Sequence, residues 1–372
     1  MKRAADRRGG RSGKDAAFGA WLWIACGVGA LMSIALWQTV HREDAGANRI
    51  VKIEEEKESA RVSDEKEDSS PKESKTPVFE SRRSEAIEQP AVRVYLTEER
   101  RIETVPLERY VQGVVAAEMP LEFRPAALEA QAIAARTYIV RRLRLDDRSG
   151  VPAKGAHVTD TIEHQAYRSL AEMKELRSRD EESWRKAEAA AERTAGEILV
   201  YGGEPIEALY FSTSNGYTEN SEDVFPAKLP YLRSVHSPWD KIGSPRAEET
   251  FEMALGEFYE RLGVEAVKAG AGGGPPIRVL ERTEGRRVKR MRAGDLQLTG
   301  VEARQLLGLR SAAFEWEIRG GVIRLTVYGS GHGVGMSQWG AEGLARAGFD
   351  ARRILKHYYT DVEIEQVSKQ PL

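Results

Sequence analysis

Apolar and polar positions divide the chain into four stretches. Residues Ala17 to Val40 form a 24-residue run without a charge, longer than the roughly 20 residues a bilayer-spanning helix needs. From 41 to 90 apolar positions are sparse and aperiodic, and Phe79 is the one aromatic. Such a stretch buries too little to offset its ordering entropy and predicts a solvated stalk. Periodicity returns at Ala91, where Val92, Val94 and Leu96 alternate with Arg93 and Tyr95, the pattern of a half-buried strand. Leu107, Tyr110, Val111, Val114 and Val115 then recur at spacings of three and four, which predicts a helix that Pro120 ends. Pro125 suits the first turn of a second helix. Its alanine-rich body, Ala126 to Tyr138, allows close backbone approach and a central position. Later come an amphipathic helix, Trp184 to Ala195, and a strand, Ile206 to Phe211. Helices alternate with short strands without a regular βαβ rhythm, so the expected body, 91–372, is α+β, with helices and short strands around a substrate cleft. The Gly270–Pro276 run marks either a boundary between two lobes or a surface insertion.

Charge orients these stretches. Lys2, Arg3, Arg7, Arg8, Arg11 and Lys14 precede the apolar run against Asp6 and Asp15. The positive-inside rule makes 1–16 a cytoplasmic tail, 17–40 a single-pass membrane anchor, and the rest extracytoplasmic. Trp21, Trp23 and Trp37 fall towards the ends of the run, at interface depth. Ala45-Gly-Ala47 mimics a signal-peptide cleavage site, but a signal peptide's apolar region spans about 7–15 residues, so the anchor is the preferred reading. The stalk, 41–90, holds 10 basic and 14 acidic residues. Over the whole chain 56 Lys plus Arg balance 58 Asp plus Glu, which argues against a nucleic-acid partner. The single cysteine, Cys26, lies within the apolar run and rules out a disulfide framework or a cysteine-rich metal site.

One carboxylate breaks the helical pattern. Glu118 follows Val111 by seven, Val114 by four and Val115 by three, so it falls on the buried stripe. Desolvation raises a carboxyl pKa, as a general acid requires near neutral pH. The competing reading is a helix-end carboxylate paired with Arg124. On the second helix, Gln131 shares a stripe with Ala127, Ala134, Ala135 and Tyr138, and Arg136 lies on the adjoining face. Both fit either substrate contact or an internal hydrogen-bond network.

Two loops carry further candidates. Tyr210 to Phe225 is dense in hydroxyls, amides and carboxylates, groups that supply the directional bonds sugars need. Its Ser-Thr-Ser has no histidine base to make a nucleophile. Gly329 to Gly340 has glycines at 329, 331, 333 and 335, which permit unusual dihedrals, and holds His332. No strand–GxGxxG–helix context supports dinucleotide binding. His157, Asp160 and His164 could offer a zinc set, but the segment also reads as an ordinary loop leading to Tyr167, and no metal or other cofactor is expected.

Four segments in one order resemble the stage II sporulation protein D family: Val114-Val-Ala-Ala-Glu-Met-Pro120, Ala127 to Tyr138, Phe211-Ser-Thr-Ser-Asn-Gly with Thr218-Glu-Asn-Ser-Glu-Asp223, and Gly331 to Ala341. The resemblance covers about 91–365. It implies a lytic transglycosylase of endospore formers that cleaves peptidoglycan strands between N-acetylmuramic acid and N-acetylglucosamine and leaves 1,6-anhydro ends. It also implies action on peptide-stripped strands during septal thinning and engulfment, at the mother-cell membrane facing the forespore, with the stage II sporulation proteins P and M as partners. Glu118 then falls on the family's catalytic glutamate. Gln131, Arg136, Tyr138, Ser212, Ser214, Asn215, His332, Ser337 and Gln338 are expected to bind glycan and shape the cleft. Some relatives hold zinc through a His and Cys cluster before the aromatic matching Tyr167. Here the cysteines are absent, which implies no structural zinc and a loop held by hydrogen bonds through Asp160 and His164. The alternative function is a non-catalytic glycan binder that activates a cell-wall amidase.

Overall fold

The computed structural model describes residues 90–264 and 276–369. The expected tail, anchor and stalk lie outside the described residues, Pro90 excepted, as does the Gly270–Pro276 run apart from Pro276. Among the described residues no helix is long and apolar enough to cross a membrane.

The body opens with an antiparallel hairpin, β1 (Ala91–Leu96) and β2 (Arg101–Pro106), in which Ala91 pairs with Pro106. Val92, Val94 and Leu96 point into the core, as alternation predicts. Helix α1 (Leu107–Glu118) follows without a linker. Tyr110, Val111, Val114 and Val115 are fully buried, each stabilising the fold by about 2 kcal/mol. That outweighs the cost of one perturbed carboxyl on the same stripe, at about 1.4 kcal/mol per pKa unit. Helix α2 (Pro125–Arg144) begins on Pro125 and packs against α1 and later elements through its alanines. A two-residue strand, β3 (Val158–Thr159), adds parallel to β1. Helices α3 (Leu170–Arg179) and α4 (Glu181–Arg193) start at a Ser169–Glu172 capping box and an Asp180 cap. Strands β4 (Glu197–Tyr201) and β5 (Glu204–Pro205) form a second hairpin.

The strand expected over Ile206–Phe211 shrinks to β6 (Tyr210–Phe211). Its parallel partner is itself two residues long, and the Leu209 carbonyl is already taken by the Met336 N–H and the Tyr359 hydroxyl. A single-turn helix, α5 (Asp240–Gly243), precedes a second set of elements. These are β7 (Glu248–Ala254), α6 (Leu255–Arg261), β8 (Ile277–Arg282), β9 (Val288–Ala293), β10 (Leu296–Thr299), α7 (Gly300–Leu307), β11 (Phe314–Arg319) and β12 (Val322–Tyr328). They form sheets of order β11-β12-β7 and β10-β9-β8. The chain returns to the first set through β13 (Met336–Ser337), α8 (Gln338–Arg346), α9 (Ala351–Tyr358) and β14 (Glu363–Gln366), which pairs with β4.

The architecture is α+β. The body is one compact unit with two hydrophobic cores, one to each lobe. One surrounds α1 and α2 and includes α8 and α9; the other, from Met253 to Val327, draws on both later sheets and on α6 and α7.

Candidate active site

Glu118 closes α1 and is half-buried. Its Oε1 accepts the Ala166 N–H at 2.8 Å and the Tyr210 hydroxyl at 3.3 Å. Its Oε2 accepts the Gln338 amide at 3.3 Å. All three donors are neutral, and among the described residues Glu118 has no ion pair, with Arg124 or any other base. Burial raises its pKa; the bonds from Ala166, Gln338 and Tyr210 offset only part of that rise.

Each donor is fixed from behind. Gln165 accepts the buried Tyr110 hydroxyl at 2.9 Å and donates to the Tyr210 oxygen at 3.0 Å. Tyr210 therefore has its proton free for Glu118. Burial and the nearby carboxylate push its own pKa well up, which keeps it a neutral donor. The loop bearing Ala166 is seated on α1 at Gly113, whose carbonyl accepts the Arg168 N–H at 3.2 Å. Tyr167 packs over Gly113, stacks on Tyr110 and donates to Glu103 at 2.8 Å.

Further up the same loop, His164 Nδ1 accepts from Thr159, and Nε2 meets the Ser149 carbonyl at 3.0 Å. Asp160 accepts the Thr97 N–H and hydroxyl, and His157 Nδ1 accepts the Arg93 N–H. The three side chains therefore serve three separate hydrogen-bond sets. Among the described residues no three His, Cys, Asp or Glu groups stand together as a metal set.

Gln338 begins α8, whose N-cap is Ser337. The glycines before it allow close approach. A Cβ on Gly335 would collide with the Leu209 carbonyl, and at Gly335 φ is +79°. His332 Nδ1 accepts the Val334 N–H and Nε2 meets the Tyr210 carbonyl at 3.0 Å. Burial, aided by the Arg287 guanidinium, lowers the His332 pKa to about 4. The imidazole is neutral and holds the backbone of the residue whose hydroxyl reaches Glu118.

A cavity of about 940 Å³ is lined by Glu118, Tyr138, Ser212, His332 and Gln338 among the expected site residues, together with Tyr210, Phe225 and Trp339. The other expected residues lie elsewhere. Arg136 is fully buried. It holds Glu108 through two oxygens and donates to the carbonyls of Ala191 and Glu197; its donors are spent on the fold, which corrects the expectation that it meets glycan. Gln131 is fully buried behind Gln338, from whose amide it accepts at 3.5 Å. Ser214 and Ser337 are fully buried and donate to Asp240. Asn215 donates to the Gly285 carbonyl and lines a separate cavity beside Arg286. Gln131, Ser214 and Ser337 thus support the site from behind rather than line it.

Asp240 escaped the sequence reading. Fully buried, it accepts the Ser214 N–H and the hydroxyls of Ser214, Ser237 and Ser337. It ties the serine-rich loop to the start of α8. The signal available was Ser237-Pro-Trp-Asp240, a polar pair at turn spacing. Gln165 and Ala166 were also missed: Gln165 lies in a loop without periodicity, and the main-chain donor of Ala166 leaves no mark on composition.

A family model described as Stage II sporulation protein matches residues 95–201, the segment that carries Glu118 and the Ala166 donor. The chain is 46% identical over 277 residues to Stage II sporulation protein D of Bacillus amyloliquefaciens, covering 74% of this chain and 79% of that one. It is 43% identical over the same length, with the same coverage, to the Stage II sporulation protein D of Bacillus subtilis (strain 168). It is 27% identical over 299 residues to a Bacillus subtilis (strain 168) protein named Amidase enhancer, covering 67% of this chain and 39% of that one. With its helices, its small sheets and this identity over most of its length, the chain belongs to the stage II sporulation protein D family.

Proposed function

We propose that the chain is a lytic transglycosylase that cleaves the bond between N-acetylmuramic acid and N-acetylglucosamine in peptidoglycan strands and leaves 1,6-anhydro ends. The observation that carries this reading is the Glu118 carboxyl, raised in pKa by burial and facing a large cavity while held by neutral donors. Oε1 already accepts two hydrogen bonds, so Oε2 is the oxygen with room for the proton. Protonated Glu118 gives that proton to the glycosidic oxygen as the bond to the anomeric carbon breaks. The resulting carboxylate takes the proton of the same sugar's 6-hydroxyl, whose oxygen closes on the anomeric carbon. The acid is regenerated and no water is consumed.

A hydrolase would use a second carboxylate on the opposite face of the sugar. Glu163 and Glu207 line the cavity with Glu118 and are the carboxylates such a hydrolase would draw on. Glu219, Glu222 and Asp223, the acidic cluster of the motif loop, do not line it. They face Arg287, Arg233 and Lys289 instead. In this reading residues 17–40 anchor the enzyme, and it acts on peptide-stripped strands with the stage II sporulation proteins P and M during engulfment. The likeness to the amidase enhancer favours a second role, stimulation of an amidase by glycan binding.

The test incubates the protein and its Glu118→Gln variant with amidase-stripped strands and reads the ends by mass spectrometry. Anhydro ends from the wild type, reduced about 10³-fold in the variant, are expected for loss of a general acid. Ends carrying added water would indicate a hydrolase. Binding without cleavage by either protein would leave the amidase-activating role.

A further inference from the structure

Arg304, in the last turn of α7, reaches the wall of the Glu118 cavity from the second lobe. Its Nε donates to the Leu309 carbonyl at 3.3 Å. Among the described residues no carboxylate pairs with it, including the cavity's own Glu118, Glu163 and Glu207. Away from the cavity, arginines of the same body find carboxylates: Arg310 pairs with Glu249, Arg233 with Glu222 and Arg324 with Glu252. Arg304 is half-buried, and burial is the one influence on its pKa, which it lowers. A cation partly withdrawn from water without a counter-charge is costly unless an anion completes it. Arg246, exposed, and Arg168, half-buried on the first lobe, line the same cavity, also without an ion pair among the described residues.

We propose that Arg304, supported by Arg246, binds the lactyl carboxylate of an N-acetylmuramic acid residue and so selects strands whose stem peptides have been removed. This rests on the glycan-cleaving reading above. In an unstripped strand that carboxyl is an amide and carries no charge. Hydrolysis of the amide leaves one carboxylate per muramic acid, while N-acetylglucosamine has none. A guanidinium offers two parallel N–H donors to the two oxygens, which an ammonium cannot match.

The test uses the full chain in detergent and two substrates, amidase-stripped strands and the same strands with their carboxylates coupled to methylamine. Affinity is measured in the Glu118→Gln background, and cleavage in the active protein. The wild type prefers the carboxylate strands. Arg304→Gln lowers affinity for them about tenfold or more, the effect of losing a charge-assisted pair, and leaves the methylamide strands unchanged. Arg304→Lys falls between, and Arg246→Gln shows a smaller loss of the same kind. Equal losses on both substrates, or a wild type indifferent to methylamidation, would overturn the assignment. A preference in affinity without anhydro products would refute the transglycosylase reading and leave the role of Arg304 standing.

Discussion

The Tyr210 hydroxyl lies between an amide that donates to it and a carboxylate that accepts from it, 3.0 Å from Gln165 Nε2 and 3.3 Å from Glu118 Oε1. The first contact fixes the direction of the second. In Tyr210→Phe the Glu118 anion loses one donor, so its pKa rises further. The basic limb of kcat/KM against pH moves upward, and Gln165 loses a buried partner at about 1–3 kcal/mol of stability. A pH–rate profile superimposable on the wild type would show that the tyrosine does not act on Glu118.

Gly113 bears on the same carboxylate from another side. Alanine is the better helix former by about 1 kcal/mol, yet a Cβ here would stand 2.7 Å from the Arg168 carbonyl and closer still to the Tyr167 ring. The loop must lift, taking the Ala166 N–H with it. Gly113→Ala is expected to lower stability by about 1–3 kcal/mol and to reduce cleavage. Denaturant unfolding and end-product assays check both; a stabilised, active variant would contradict the packing.

Asp240 accepts four hydrogen bonds in a buried setting. Asn has one oxygen to accept with and turns an N–H₂ group towards donors. Asp240→Asn should cost about 1–3 kcal/mol, as for a buried group left facing unmatched donors. Thermal melts measure this. A loss below about 1 kcal/mol would mean the two loops hold together without the carboxylate.

His332 makes stability depend on pH. Its folded pKa is about 4 against an ordinary 6.5. Between these values the unfolded chain binds the extra proton, so the contribution is complete above 6.5 and is lost as pH falls towards 4. His157, also lowered to about 4, acts in the same direction. In His332→Gln the slope of unfolding free energy across this window should be shallower by up to one proton, about 1.4 kcal/mol per pH unit. Equal slopes would show that folding leaves the protonation of His332 unchanged.

Local rules carried much of this architecture. The stripe of α1 located both the helix and the displaced carboxylate, because Glu118 had to share the face of Val111, Val114 and Val115. Pro125 marked the start of α2, and alternation marked β1. What local rules could not supply was direction. Arg136, Ser214 and Ser337 lie in the right segments, but their partners Glu108 and Asp240 are distant in sequence, and only the assembled fold turns them inward. The same holds for Ala166, which faces Glu118 across 48 residues.

The second lobe has one further property. Its boundary residues, Glu248 and Tyr328, face one another as an antiparallel pair, and the Gly329 N–H bonds the Ala247 carbonyl at 2.9 Å. The chain thus departs from and rejoins the first lobe at a single point, as a guest module does in a host. Glu118 and its three donors belong to the host, whereas Arg304 belongs to the guest. Glu118 and Arg304 line one cavity, yet separate stretches of the chain encode them.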